Sequence, residues 1–152
     1  MKRLYVLSCI VWLLIPVTGC SAGNINNQIV EKKSITVKTG LEVLKEQHFS
    51  CLEGKRVGLI TNPTGVDNNM VSTIDILFNA PNVNLVALYG PEHGVRGDIH
   101  AGDQIATQTD SLTGLPVYSL YGSTRKPTPG MLQGIDVLVY DIQDIGSRSF
   151  TY

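Results

Sequence analysis

The sequence predicts an α/β fold, a Rossmann-like parallel sheet with flanking helices. Three apolar runs carry the expectation: RVGLIT at 56 to 61, VNLVALY at 83 to 89 and IDVLVYDI at 135 to 142. Each has the length and composition of a strand buried on both faces of a parallel sheet. Between the first two lies a stretch with helical spacing, so strand, helix and strand follow within about 35 residues, and such a βαβ unit makes its strands parallel. Every run also ends in polar residues, and open α/β sheets bind ligands beyond the carboxyl ends of their strands.

Taken in order, the chain opens with a segment that does not belong to the fold. Lys2 and Arg3 form a basic start, residues 4 to 17 an apolar stretch short for a bilayer span, and Thr18-Gly19 the small residues before a cleavage point. This is the pattern of a secretory signal over residues 1 to 19. Val17-Thr18-Gly19-Cys20 also resembles a bacterial lipobox, in which Cys20 becomes the lipidated first residue. The alternative is an ordinary signal peptide with a chance cysteine. Acyl chains on Cys20 would anchor the protein to a membrane, each buried methylene adding about 0.8 kcal/mol. The expected location is therefore exported and membrane-anchored, on the periplasmic or cell-surface side. Residues 20 to 36, polar and rich in Asn, read as a tether.

Cysteine usage agrees with export. Cys9 leaves with the signal and Cys20 carries lipid, so Cys51 remains alone and no internal disulfide can form. Cys51 is expected to be a small buried hydrophobe. A nucleophilic role would require a paired base, for which His48 is the nearby candidate.

The folded part, residues 37 to 152, begins with a two-turn helix after Thr39-Gly40, on which Leu41, Leu44 and His48 share a face that covers the sheet. The first strand runs into Asn62-Pro63-Thr64-Gly65, a dense turn signal. A second helix follows, with Val71, Ile74, Leu77 and Phe78 at helical spacing and Ser72 or Asn69 as its cap. Pro81-Asn82 ends it. After the second strand, residues 90 to 110 form a long loop holding Glu92, His93, Arg96, Asp98, His100 and Asp103, and loops of that length are usually functional. Residues 115 to 121 alternate weakly, as a strand nearer an edge would. Pro127 and Pro129 allow at most a short helix near Met131 and Leu132. The third clear strand ends in Asp141, Gln143 and Asp144, after which Gly146-Ser147-Arg148 opens a further helix. The sequence stops inside that element, so a domain truncated before its end is expected.

Composition sets limits on function. With 152 residues, 43% hydrophobic and 16% charged, the chain fits one domain or part of a larger one and has the material for a core. A formal net charge of −1 and the absence of any Lys/Arg run longer than a pair such as Lys32-Lys33 argue against nucleic-acid binding.

Three polar clusters would share one rim if the three strands are neighbours: Asn62 and Thr64; Glu92, His93 and Arg96; Asp141, Gln143, Asp144 and Arg148. Dinucleotide binding is disfavoured, because no G-x-G-x-x-G follows a strand, and no Walker-type loop occurs. A metal site is not expected, since the spacing of Glu92, His93, Asp98, His100 and Asp103 matches no standard zinc pattern. Paired carboxylates fit better. Glycosidic cleavage uses an acid at the leaving oxygen and a second carboxylate roughly 5 to 9.5 Å away, and Glu92 with Asp141 or Asp144 meets that requirement. The alternative is an acidic pair salt-bridged to Arg96 and Arg148.

The ordered segments GLITNPTGVD (58 to 67), YGPEHGVRG (89 to 97), AGD (101 to 103), TGLPVYSLYG (113 to 122) and IDVLVYDIQDIGSRSFTY (135 to 152) resemble the bacterial DUF1343 family of exo-acting β-N-acetylmuramidases. The likeness covers about Gly40 to Tyr152. It implies a Rossmann-like N-terminal domain with the catalytic cleft, followed by a smaller C-terminal domain absent from this chain. It further implies removal of N-acetylmuramic acid from the non-reducing end of peptidoglycan fragments, without a cofactor. Glu92, in the P-E-H-G motif, becomes the catalytic acid; the motif alone assigns no second catalytic group, and Asp141 and Asp144 are the candidates that the strand-end pairing offers. Asn62, Thr64, His93, Arg96, Gln143 and Arg148 become matching polar positions that bind substrate, with Arg96 or Arg148 on the lactyl carboxylate. A second hypothesis is a surface lipoprotein that binds sugar or peptidoglycan without cleaving it.

Overall fold

The computed structural model describes residues 37–100, 108–143 and 146. The signal, the tether, Cys20, Asp103, Asp144, Arg148 and the helix expected after Gly146 lie outside the described residues.

Helix α1 spans Gly40–Glu46. Thr39 caps it reciprocally: its hydroxyl accepts from the Glu42 N–H at 3.3 Å, and the Glu42 carboxylate accepts from the Thr39 N–H at 2.8 Å. Leu41 is buried and Leu44 packs on the core, as their spacing predicts. His48 departs from expectation. The helix ends at Gln47, His48 and Phe49 take left-handed backbone, and the reversal turns Phe49 into the core while His48 is exposed. The 3-10 turn Ser50–Leu52 then buries Leu52 and leaves Cys51 exposed, so the expected buried cysteine is corrected. One turn of that length can hide a single side chain, and the larger leucine takes the place.

Strand β1 spans Arg56–Thr61, helix α2 Thr73–Asn79 and strand β2 Asn84–Gly90. The Ser72 hydroxyl caps α2 by accepting from the Ile74 N–H at 3.2 Å. Ile74 and Leu77 are fully buried. Val71, expected on the same face, is exposed because the helix starts only at Thr73 and leaves it outside; Phe78, next to the buried Leu77, is exposed as well. Asp67 in the preceding loop accepts from Lys45 Nζ at 2.8 Å and from the Asn69 and Val71 N–H groups at 2.9 Å each, which ties α1 to the start of α2. These donors, Lys45 foremost and then Val71, hold the Asp67 carboxyl at about 2.

Three further strands complete the sheet: β3 Gln108–Thr109, β4 Pro116–Ser119 and β5 Val137–Asp141. Their order is β3-β4-β2-β1-β5, with β2, β1, β4 and β5 parallel and the two-residue β3 antiparallel to β4. This is a mixed, parallel-dominated α/β sheet of Rossmann-like kind. Strand β4 therefore lies one place in from the edge, and β3 arises within what read as continuous loop. Residues 129 to 134 form turns with no helix.

The register of β2 against β1 pairs Val57 with Leu85 but Gly58 with Ala87, leaving Val86 as a bulge. This resets the alternation of faces. Leu85 and Leu88 join one core with Val57, Leu59, Ile74 and Leu77, while Ala87 and Tyr89 join Leu120 in a second. Tyr89 is fully buried, stacks on Tyr118 at 5.4 Å and donates its hydroxyl to the Met131 carbonyl at 2.6 Å. Burial, then Tyr118, pushes its phenol above the ordinary value. Gly58 is required beside it, since a Cβ there would stand 2.9 Å from the Tyr89 ring and 2.8 Å from Leu138.

Strand β5 was expected to be buried throughout, yet its residues alternate: Val137 and Val139 pack on the core while Leu138 and Tyr140 are 39% and 67% exposed. It pairs with β1 alone among the described strands, and one of its faces is open. Among the described residues no helix is long and apolar enough to cross a membrane.

Candidate active site

The parallel register sets Thr61 opposite Asp141, Ile60 opposite Tyr89 and Gly90 opposite Ser119. The carboxyl ends of β1, β2, β4 and β5 therefore form one rim, and the polar residues that follow them are neighbours.

The loop after β1 is locked to the end of β5. Asn62 Oδ1 accepts from the Thr64 N–H at 3.0 Å and from the Thr64 hydroxyl at 2.6 Å, an Asx-type turn that the N-P-T-G sequence favours. The same hydroxyl oxygen accepts from the Gln143 N–H at 2.9 Å. Thr61 donates to the Asp141 carbonyl at 2.8 Å. Gly65 permits this closeness, because a Cβ there would meet the Thr61 hydroxyl and stand 2.9 Å from the Asp141 carbonyl.

The Asp141 carboxylate receives one donor on each oxygen: the Thr73 hydroxyl at 2.5 Å and the Gln143 amide at 2.8 Å. Thr73 is the first residue of α2 and is buried, so that contact fixes the carboxylate from the helix side. A cavity of about 390 Å³ opens here, bordered by Leu41, Leu44, Thr73, Asp141 and Gln143.

Glu92 follows β2 by two residues. Pro91 before it is buried and Glu92 itself is half-buried. His93 is exposed, takes left-handed backbone at φ 71° and sets Nδ1 3.1 Å from the Ile99 carbonyl. The Gly94 N–H closes the turn on the Pro91 carbonyl at 3.1 Å, and Val95 inserts into the core. Gly97 lies so close to Pro63 that a Cβ would approach the proline ring to 2.6 Å. The Glu92 loop is thus seated on the Asn62 loop. Glu92 and Asp141 leave strands on either side of β1, two strand spacings apart, roughly 9.6 Å.

Arg96, expected to face substrate, is committed within the protein. It donates to Asp110 through Nε at 2.6 Å and Nη2 at 3.0 Å, and to Asp75 through Nη2 at 2.9 Å. Asp110 also accepts from the Thr113 N–H and hydroxyl, at 3.0 and 2.7 Å. Arg96, then Thr113, outweighs burial and holds the Asp110 carboxyl at about 2. Asp110 first, and Asp75 after it, raise the arginine above its ordinary value against the opposing effect of burial. The ion pairs foreseen for Arg96 are real, but its partners are Asp75 on α2 and Asp110 between β3 and β4, not Glu92 or Asp141.

A fourth strand end had gone unread. After β4 the segment Tyr121–Lys126 brings Arg125 and Lys126 over a small cavity of about 190 Å³, whose floor includes Ile60, Leu120 and Tyr140 and whose wall is Pro91. The signal was present in the sequence, two adjacent cations just past a strand, but weak alternation had assigned that strand to an edge. Among the described residues no group of three or more His, Cys, Asp or Glu converges as a metal site.

The family model described as exo-beta-N-acetylmuramidase NamZ, N-terminal, matches residues 57–152, more than half of the chain. The chain belongs to the NamZ N-terminal family. The matched span includes Asn62, Thr64, Glu92, His93, Asp141 and Gln143 of the described rim. The peptidoglycan beta-N-acetylmuramidase NamZ of Bacillus subtilis (strain 168) is 50% identical over 137 residues, which are 90% of this chain and 33% of that protein. The chain spans about a third of the length of this NamZ relative. Two crystal structures of DUF1343 family proteins from Bacteroides fragilis NCTC 9343 share the NamZ-type fold. One is 80% identical with a TM-score of 0.67, covering 76% of this chain and 28% of that one. The other is 38% identical with a TM-score of 0.59, covering 77% and 28%.

Proposed function

We propose that the protein is an exo-acting glycosidase that releases N-acetylmuramic acid from the non-reducing end of peptidoglycan fragments. The observation that carries this reading is the placement of Glu92 at the sheet rim in a chain half identical to a peptidoglycan β-N-acetylmuramidase. Glu92 serves as the acid that protonates the glycosidic oxygen. Asp141, aimed by Thr73 and Gln143, is the described candidate for the second carboxylate, with Asp144 beside it in sequence. The two carboxylates leave strands on either side of β1, a spacing that side chains can bridge to the roughly 5 to 9.5 Å that glycosidic cleavage uses. Asn62, Thr64, His93 and Gln143 border the sugar; Arg148, outside the described residues, is a further candidate by sequence alone.

Turnover of a chromogenic β-N-acetylmuramide by the full-length protein tests the reading. Glu92→Gln is expected to lower kcat roughly 10²- to 10⁴-fold. Undiminished turnover removes Glu92 from the acid role, and muramyl-sugar binding without any product makes the protein a binding lipoprotein instead.

The same reading has the protein exported and held on a membrane through Cys20, facing the cell wall. Its support is the basic, apolar and V-T-G-C succession at the start of the chain. Metabolic labelling with a fatty-acid probe is expected to mark the wild type and to spare Cys20→Ala; equal labelling of both rules out lipidation at that residue.

A further inference from the structure

We infer that Arg125 and Lys126 form an anion subsite that takes the carboxylate of a 3-O-lactyl sugar, and so selects muramic acid over its neutral parent N-acetylglucosamine. This rests on the muramidase reading above and names the residues of that rim which supply its selectivity.

The cations of the described residues divide into two groups. Lys38 is paired with Glu46, Lys45 with Asp67 and Arg96 with Asp75 and Asp110, while Lys55 and Arg56 donate to backbone carbonyls. Arg125 and Lys126 have no such partner among the described residues. They are adjacent in sequence, exposed, and placed at the carboxyl end of the sheet. Arg96 is spoken for, so it leaves this pair as the described cations that can meet a ligand at the rim.

The surroundings fit a carboxylate carried on a sugar. On one side lies the 190 Å³ cavity lined by Ile60, Leu120 and Tyr140, with no acidic side chain among its described lining residues. An apolar surround strengthens attraction between a fixed cation and an incoming anion relative to open water. Tyr140, 67% exposed, offers an aromatic face to a sugar ring. On the other side Arg125 and Lys126 border a shallower depression of about 490 Å³ lined by Ser123, Thr124 and Thr128, whose hydroxyls suit sugar hydroxyls, again with no acid among the described lining residues. Pro91, in the cavity wall, is the residue directly before Glu92. A carboxylate held by Arg125 and Lys126 is therefore bound close to the proposed acid, as the lactyl group is close to the scissile bond of its own ring.

Steady-state kinetics of the full-length protein test the subsite with three probes: 4-nitrophenyl β-N-acetylmuramide, the methyl ester of its lactyl carboxylate, and 4-nitrophenyl β-N-acetylglucosaminide. In the double variant Arg125→Gln, Lys126→Gln the KM for the acid is expected to rise roughly 10- to 100-fold, the loss of one or two charge-assisted contacts, with kcat far less affected. The ester offers no anion and loses much less, so the acid-to-ester ratio falls by a similar factor. Equal losses on acid and ester, as from misfolding, or no loss on the acid, overturn the inference. Calorimetry with free N-acetylmuramic acid and N-acetylglucosamine separates this outcome from the fate of the hydrolase reading. A preference for the acid sugar that the double variant abolishes upholds the subsite even without turnover; equal binding of both sugars by the wild type overturns it.

Discussion

The Thr73 hydroxyl donates to Asp141 Oδ2 at 2.5 Å, joining the first turn of α2 to the last residue of β5 across 68 residues of chain. Val137 and Val139 of the same strand pack on the core that holds Ile74 and Leu77 of the helix, and this bond fixes one oxygen of the Asp141 carboxylate from the helix side. Thr73→Val keeps the shape and removes the donor. We expect a stability loss of about 1 to 3 kcal/mol by chemical denaturation and a fall in kcat, with Thr73→Ser retaining most of both. A valine variant with wild-type stability and rate would show that Asp141 is held by Gln143 alone.

Arg96 is a strut. Its side chain is 20% exposed and bridges the buried Asp110 and the half-buried Asp75. Arg96→Met strands both carboxylates and is expected to cost on the order of 3 kcal/mol. If instead the variant melts normally and only KM for the muramide rises, the arginine reaches substrate after all.

Acid lability follows from two carboxyls. Asp110 and Asp67 both titrate at about 2 in the fold against an ordinary 3.8, Asp110 through Arg96 and Asp67 through Lys45. A carboxyl lowered on folding contributes stability that is complete above the unfolded value and fades as pH falls through the folded one. Stability is therefore expected to fall between about pH 4 and pH 2. Asp110→Asn should be less stable at neutral pH and flatter across that window. A parallel pH dependence in the wild type and the variant would assign the acid transition to other groups.

Gly65 is a position where space decides. A Cβ would crowd the Thr61 hydroxyl and the Asp141 carbonyl, both of which belong to the rim. Gly65→Ala is expected to destabilise by about 1 to 3 kcal/mol and to reduce activity more than Gly54→Ala, a turn glycine with open space around it. An activity loss no greater than that of Gly54→Ala, where left-handed backbone at φ 73° is strained but no neighbour is crowded, would mean that the crowding at Gly65 does not reach the rim.

Much of the fold was legible because burial writes itself into composition. The apolar runs gave β1 to the residue and β2 within one, and their polar ends share a rim as expected. The misses have physical causes. Strand β3 is two residues held by pairing with β4, too short for any period to register. Strand β5 read as buried because periodicity sees Leu138 and Tyr140 as apolar but cannot see that their face is left exposed among the described residues. Arg96 read as a ligand because its partners, 21 and 14 residues away, become neighbours only through the crossover. Arg125 and Lys126 went unread because what sets them apart is the lack of a partner among the described residues, which spacing does not record.

The bulge at Val86 has a consequence for how this strand can vary. Upstream of it, Leu85 faces the helix-side core; downstream, Leu88 does so too, three positions on. The extra residue thus acts as a phase shifter whose output is read six positions later, where Glu92 leaves the sheet. Removing one residue between Leu85 and Glu92 would exchange the buried sets of the two faces or draw the acid back by a full residue. Side chains in this stretch can drift while hydrophobicity is kept, but its length is a fixed count, and insertions and deletions are tolerated only elsewhere.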